Sequence, residues 1–121
     1  MKARMGVIGV GWWGTVGHLE PLSRDPEAEV VAVWSRTEAK ARDRAERYGV
    51  PSYYTDYRRM IAECEMDGVC IASTPNMHYE QARYALGHGL HVLMEKPFVL
   101  KAAHARELER LAVANERILS V

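Results

Sequence analysis

The sequence has few cysteines, no excess of charge of either sign and no long apolar run. Only two cysteines occur among the 121 residues, Cys64 and Cys70, and they do not form a Cys-x-x-Cys pair. A disulfide framework and a structural zinc site are therefore not expected, and a reducing, cytoplasmic location fits best.

The balance of charge and the shortness of the apolar runs exclude two kinds of partner. Lysine and arginine together number 16, as do aspartate and glutamate, so there is no basic field to hold nucleic acid. The first apolar run, residues 5–10, is broken by glycines and is too short for a signal peptide or a membrane span. We expect one domain over residues 1–121 that binds neither nucleic acid nor membrane.

Short apolar runs alternate along the chain with stretches of helical period. Runs of strand length lie at residues 5–10, 29–34, 69–72 and 91–94, with shorter candidates at 52–54 and 117–121. The four longer runs are nearly continuous in valine, isoleucine, leucine and methionine, as expected when helices cover both faces of a parallel sheet. The pattern predicts a doubly wound α/β fold with three α/β/α layers.

Several residues mark predicted helix ends. Residues 35–38, Ser-Arg-Thr-Glu, form a capping box, while Asp56 and Asn76 are predicted to cap the next two helices. Gly89 is placed to end the helix that Asn76 begins. Pro21 lies inside the first predicted helix, which it should kink or shorten.

A glycine-rich loop follows the first strand and opens the first helix. Gly9, Gly11 and Gly14 form G-x-G-x-x-G, in which the glycines permit a tight turn, close approach to a pyrophosphate and close helix packing, in that order. This is the dinucleotide fingerprint of a Rossmann-type fold, although such a loop can also serve packing alone. Trp12 and Trp13 could cover the pyrophosphate, wall a substrate cleft or fill the hydrophobic edge of the domain.

The end of the second strand indicates which dinucleotide binds. An NAD site would show aspartate or glutamate here, whereas this chain has Ser35, Arg36 and Thr37. Arg36 could pair with a 2′-phosphate, with hydroxyls from Ser35 and Thr37 beside it. The capping box would also explain Ser35, and solubility would explain Arg36. We favour NADP over NAD.

Two further motifs follow the later strands and make a family resemblance recognisable. Thr74-Pro75-Asn76-Met77-His78 follows the third long strand and Glu95-Lys96-Pro97 follows the fourth, at the sheet edge where ligands bind. With the glycine loop, T-P-N-x-H and G-x-H-V-L-x-E-K-P resemble the glucose-fructose oxidoreductase, inositol dehydrogenase and rhizopine catabolism (Gfo/Idh/MocA) family over essentially the whole chain.

The resemblance implies a second set of site residues. Ser73, Thr74, Pro75 and Asn76 would line the nicotinamide-ribose end of the cofactor, with His78 close by. Glu95, Lys96 and Pro97 would form the family signature, its lysine touching both the cofactor ribose and a substrate hydroxyl.

Lys96 is the predicted catalytic residue. An ammonium beside a substrate alcohol lowers the cost of the alkoxide that develops as hydride leaves carbon. The alternative is an ordinary surface lysine held before a proline, and Glu95 could equally be its salt-bridge partner. The other histidines, His18, His88, His91 and His104, have no metal-ligand spacing, and no metal site is predicted.

The resemblance also implies the activity and its limits. We expect the nucleotide-binding half of a sugar, polyol or related dehydrogenase, with the family's substrate domain absent from this chain and with homo-oligomers in the full-length form. The chain ends in what looks like the opening of a strand, so turnover by this part alone is not expected. The alternatives are a nucleotide-sensing regulatory module of the same fold and a domain whose glycine loop is only structural.

Overall fold

The computed structural model describes all 121 residues and contains one six-stranded parallel sheet. The strands are β1 (Ala3–Ile8), β2 (Ala28–Trp34), β3 (Ser52–Tyr54), β4 (Gly68–Ile71), β5 (His91–Met94) and β6 (Leu119–Ser120). Their order across the sheet is β3-β2-β1-β4-β5-β6. The winding therefore reverses between β1 and β4, and the predicted doubly wound α/β fold is confirmed.

Helices connect the strands. They are α1 (Trp12–Gly14), α2 (Glu20–Arg24), α3 (Glu38–Tyr48), α4 (Tyr57–Glu63), α5 (Pro75–Gly87) and α6 (Ala102–Ala114), with a π-helical turn at Thr15–Leu19 between α1 and α2. No helix combines the length and the apolar character needed to cross a bilayer.

Two separate apolar clusters form the layers on either side of the sheet. Successive strand residues point to opposite faces, so Val7 packs with Leu19 and Ala45 while Ile8 packs in the larger cluster with Leu86. The side chains of Val7, Leu19, Ile8 and Leu86 are fully buried. Each large apolar side chain so buried contributes about 1.5–3 kcal/mol relative to exposure, and helices on both faces are needed to obtain it.

The predicted helix starts were right at one position and wrong at two. Asp56 caps α4, since its carboxylate accepts hydrogen bonds from the N–H groups of Arg58 and Arg59. The capping box at residues 35–38 does not form, because Ser35 still donates its N–H to Tyr54 of β3 and the helix begins at Glu38. The chain therefore leaves the sheet too late for Ser35 to cap.

Asn76 does not cap α5. The N-cap position is held by Thr74, and Pro75 occupies the first turn, where its fixed φ favours the helix and its missing N–H costs nothing. At the other end Gly89 has φ +79°, and the N–H groups of Gly89 and Leu90 donate to Leu86 and Ala85. These are the two bonds of a Schellman motif, so the predicted helix stop is confirmed.

Pro21 is accommodated without ending the helical path. The π-helical turn, in which Glu20 N–H donates to Thr15, ends directly before α2, and Pro21 lies in the first turn of α2. A missing N–H is tolerated at that place because first-turn amides have no partner within their own helix.

The cap of α4 can be tested against the position that was predicted and does not cap. Asp56→Ala should lower the free energy of unfolding by about 1 kcal/mol, because two amides at the start of α4 lose their acceptor. Asn76→Ala should cost less than about 0.5 kcal/mol. Urea unfolding followed by circular dichroism measures both, and equal losses would contradict the assignment.

Candidate functional site

An open cleft of about 690 Å³ lies at the carboxyl ends of β1, β2 and β4. This is where the winding reverses, the place at which open α/β sheets bind ligands. Eight residues predicted from the sequence line it: Gly9, Gly11, Ser35, Arg36, Thr37, Ser73, Thr74 and Pro75. The lining is completed by four that were not predicted: Val10, Trp34, Lys40 and Ala72.

The three glycines of the loop have distinct surroundings. Gly9 has φ +101°, and a Cβ there would lie 2.6 Å from the carbonyl carbon of Ala72 and from the amide nitrogen of Ser73. A Cβ on Gly14 would overlap the carbonyl oxygen of Gly9. Gly11 differs, because a Cβ there would have no atom within 4 Å. Gly9 and Gly14 are therefore required by packing, whereas Gly11 leaves space open beside the cleft.

The end of the cleft beside β2 is positive. Arg36 and Lys40 are both exposed there, and neither makes an ion pair within the protein. None of the twelve lining residues is acidic. Ser35 is buried, and its hydroxyl accepts a 3.4 Å hydrogen bond from the N–H of Thr37. Two unpaired cations without a carboxylate suit an anionic group.

Lys40 was missed by the sequence analysis, although a signal was present. It follows Arg36 by four residues, and it lies in the first turn of α3, which begins after Thr37. Helical side chains lean toward the N-terminus of their helix, so a lysine at this position reaches back to the strand end.

The segment after β4 presents backbone and small polar groups to the cleft. Thr74 precedes α5, and its hydroxyl donates to Asn76 Oδ1 at 2.7 Å instead of accepting from a helix amide. The start of α5 therefore has no side-chain cap; Pro75 has no N–H and that of Met77 donates to Thr74 O, which leaves the N–H of Asn76 for a ligand. Asn76 itself borders a neighbouring hollow of about 330 Å³ with Pro75 and Lys101.

His78 lies behind the cleft and does not line it. The side chain is 1 % exposed, with Nε2 2.9 Å from Ser73 O and Nδ1 2.8 Å from Pro97 O. Both ring nitrogens face backbone carbonyl groups inside the protein. His78 is therefore near the cleft, as predicted, but has no ring nitrogen directed toward a cofactor. Its role in the structure is to join the segment after β4 to the segment after β5.

Glu95 and Lys96 have separate partners. Glu95 Oε1 lies 2.8 Å from Nε2 of His18, which is almost fully buried on the π-helical turn. Hydrogen bonds from the Trp13 side chain and from His18 hold the pKa of Glu95 below its ordinary value, against the opposing effect of burial. Lys96 is exposed and makes no ion pair, so the alternative in which Glu95 neutralises it is wrong.

The two tryptophans of the loop lie outside the lining of the cleft. Trp12 is 75 % exposed and Trp13 is half exposed, with their ring centroids 5.9 Å apart. Trp13 lies along the helix over Gly17, where a Cβ would be 2.8 Å from its Cε2 atom. The need for glycine at position 17 was not foreseen, because it depends on how Trp13 packs in the fold.

The remaining histidines have partners that explain them. His91 Nδ1 accepts from the N–H of Ile118 at 2.9 Å, His88 Nδ1 lies 2.8 Å from Tyr84 O, and His104 stacks on Tyr79. No group of three histidine, cysteine, aspartate or glutamate side chains is arranged to hold a metal ion.

The reversal of winding, the glycine turn and the open strand ends together define a Rossmann-type dinucleotide-binding domain. Residues 3–121 match the oxidoreductase family with an NAD-binding Rossmann fold, Gfo/Idh/MocA, and the chain belongs to that family. The resemblance seen in the sequence is thereby confirmed.

Three relatives show the range of the family. The scyllo-inositol 2-dehydrogenase (NADP(+)) of Bacillus subtilis is 34% identical over 116 residues, covering 96% of this chain and 35% of that protein. Biliverdin reductase from Synechocystis, solved with biliverdin and NADP+, has a TM-score of 0.91 at 29% identity, covering 98% of this chain and 37% of its own. GenD2 of gentamicin A biosynthesis, solved with NAD, has a TM-score of 0.93 at 31% identity, with coverage of 98% and 34%. The chain spans about a third of the length of its curated relatives.

The different surroundings of the glycines predict different effects of the same substitution. Gly14→Ala should destabilise the fold by more than about 2 kcal/mol, because its Cβ would overlap Gly9 O. Gly11→Ala should unfold like the unsubstituted chain, as should the control Gly87→Ala, where a Cβ also meets open space. Thermal and urea unfolding measure all three, and a Gly14→Ala chain of unchanged stability would contradict this packing.

Proposed function

We propose that this chain is the NADP(H)-binding domain of a dehydrogenase that transfers hydride between the nicotinamide ring and a hydroxyl-bearing carbon of a sugar, polyol or related compound. The observation that carries the choice of cofactor is the positive, acid-free end of the cleft at Arg36 and Lys40. Residues that bind the substrate itself are expected largely beyond these 121 residues, since the relatives are about three times longer.

The cleft fits a dinucleotide along its length. The open space at Gly11 admits a diphosphate close to the backbone, and the free amides at the start of α1 favour its negative charge. Thr74 and Pro75, at the other side of the cleft, would hold the nicotinamide-ribose end with Asn76. A side chain at position 11 would occupy space that the ligand needs.

The preference for NADP follows from charge. A 2′-phosphate has lone pairs for the guanidinium fork of Arg36 and for the ammonium of Lys40, and a third donor is available at Thr37. The free ribose 2′-hydroxyl of NAD is usually bound by a carboxylate, and no carboxylate lines the cleft. The relatives include both an NADP-named enzyme and an NAD complex, so the residues of this chain, not the family, support the preference.

Lys96 is the residue to which we assign chemistry. When bound, the nicotinamide supplies the hydride acceptor or donor. The Lys96 ammonium, exposed and without an ion pair, would donate a hydrogen bond to the substrate oxygen and stabilise the alkoxide character that develops on it. Glu95 makes its ion pair with His18 and none with Lys96.

Two broader properties remain predictions from the sequence. The two cysteines are free, which supports a cytoplasmic location. Homo-oligomers are expected of the full-length protein, and the substrate class is proposed from relatives whose names include inositol, xylose and glucoside dehydrogenases.

The cofactor preference predicts a selective effect of two substitutions. Arg36→Ala and Lys40→Ala should each weaken NADP binding about tenfold, because each removes a charged donor from the 2′-phosphate, and should change NAD binding less than about twofold. Isothermal titration of the chain with each dinucleotide measures this.

Arg42→Ala is the matched control for charge, since Arg42 lies on α3 outside the cleft and pairs with Glu46. Arg42→Ala should leave the affinities for NADP and for NAD unchanged. Equal losses for NADP and NAD in the Arg36 and Lys40 variants would refute the NADP assignment, and absence of any binding by the unsubstituted chain would refute the nucleotide site.

The role of Lys96 predicts a separation of binding from turnover in the complete enzyme. Lys96→Ala should lower kcat by about 100-fold or more while NADP affinity changes little, because the charge is needed chiefly as negative charge develops on the substrate oxygen. Lys2→Ala is the control, because Lys2 is exposed and lies just before β1, at the edge of the sheet opposite to the cleft. A Lys96→Ala enzyme with unchanged output would instead favour a nucleotide-sensing module.

A further inference from the structure

Glu95 connects the helical segment of the glycine loop to Lys96. Its carboxylate receives a 2.8 Å hydrogen bond from Nε2 of His18, which lies on the π-helical turn seven residues beyond Gly11. The side chain of His18 is 10% exposed and that of Glu95 26%, so water competes little for this contact. The backbone N–H of Glu95 donates to Ile71 at the end of β4. Both ends of Glu95 are therefore held.

Trp13 lies on the same helical segment as His18. Its indole lies over Gly17, where a Cβ would be 2.8 Å from its Cε2 atom, so the ring has room there only because residue 17 is glycine. The Trp13 side chain helps to keep the pKa of Glu95 below its ordinary value. The hydrogen bond from His18 at 2.8 Å is the direct contact that ties the Glu95 carboxylate, adjacent to the lysine, to this segment.

We propose that His18 is a positioning residue for Lys96: acting through Glu95, it fixes the lysine segment to the helix that carries the diphosphate loop and keeps the Glu95 carboxylate from pairing with the lysine ammonium. The inference rests on the proposed function, because the position of Lys96 matters only if the nicotinamide end of a dinucleotide reaches it.

A carboxylate next in sequence to a lysine has the freedom to neutralise it unless other donors hold it, and charged hydrogen bonds in partly buried surroundings are strong enough to do so. A fixed Glu95 also restrains the backbone of Lys96, because the two residues share a peptide bond. The lysine side chain then starts from a fixed backbone position, and its ammonium makes no ion pair in the structure.

Two substitutions at position 18 separate the hydrogen bond from the rest of the side chain. In His18→Gln the amide nitrogen extends as far along the side chain as Nε2 and can still donate to Glu95. In His18→Asn the nitrogen stops at the level of Nδ1 and cannot reach. Both variants lose the ring, so differences between them report on the bond alone.

The first measurement is made on the chain without any nucleotide. In ¹H–¹⁵N spectra, the Lys96 amide and Trp13 indole signals should move further from their original positions in His18→Asn than in His18→Gln. Glu95→Gln should move the same two signals. Equal displacement in the two His18 variants, with the fold intact by circular dichroism, would overturn the proposal.

The second measurement compares kcat with the affinity for NADP in the complete enzyme. His18→Asn should lower kcat about tenfold while its NADP affinity stays within about twofold, as for Lys96→Ala, because the lysine is displaced and the diphosphate loop is intact. His18→Gln should keep both quantities within about twofold. A loss of NADP affinity in His18→Asn as large as its loss of kcat would show a merely structural role and overturn the proposal. If the unsubstituted chain binds no NADP, the proposed function fails, and the spectra still decide whether His18 positions Lys96.

Discussion

The backbone of Gly9 lies so close to the backbone of Ala72 and Ser73 that no side chain fits between them. This contact joins the ends of β1 and β4, the neighbouring strands between which the winding reverses. Gly14 then lies against Gly9, which sets the start of the first helical segment directly on the end of β1. The shape of the cleft and the exposure of the amides at the start of α1 both depend on glycine at positions 9 and 14.

The strand pattern and the motifs after the strands were predictable because both are local signals with a simple consequence. Parallel strands end at one edge of a sheet, so residues that follow β1, β2 and β4 must meet there whatever the details of packing. That is why Gly9, Arg36 and Thr74 could be placed in one cleft from the sequence. Even the three-residue strand at Ser52–Tyr54 was correctly located.

The errors arose where a local preference competed with tertiary structure. Ser35 is a good capping residue, but the ladder with β3 holds it in the sheet, and Pro75 starts α5 before Asn76 can cap it. Lys40 could have been predicted from helical spacing once Arg36 had been assigned to the 2′-phosphate. The contact of His18 with Glu95 was not, because the two residues are 77 positions apart and neither belongs to a pattern that requires the other.

The segment that carries Lys96 is held from both sides by a buried histidine. His18 binds the carboxylate of Glu95, while His78 lies within 2.8 Å of Pro97 O and 2.9 Å of Ser73 O. Polar groups are costly to bury without partners, and here the partners of the two histidines link the segment after β5 to the π-helical turn and to the segment after β4. The backbone on each side of Lys96 is therefore restrained while its ammonium is not. In the proposed reaction this division would favour the role of the Lys96 ammonium, since its position is fixed in advance and no ion pair has to be broken before it meets the developing alkoxide.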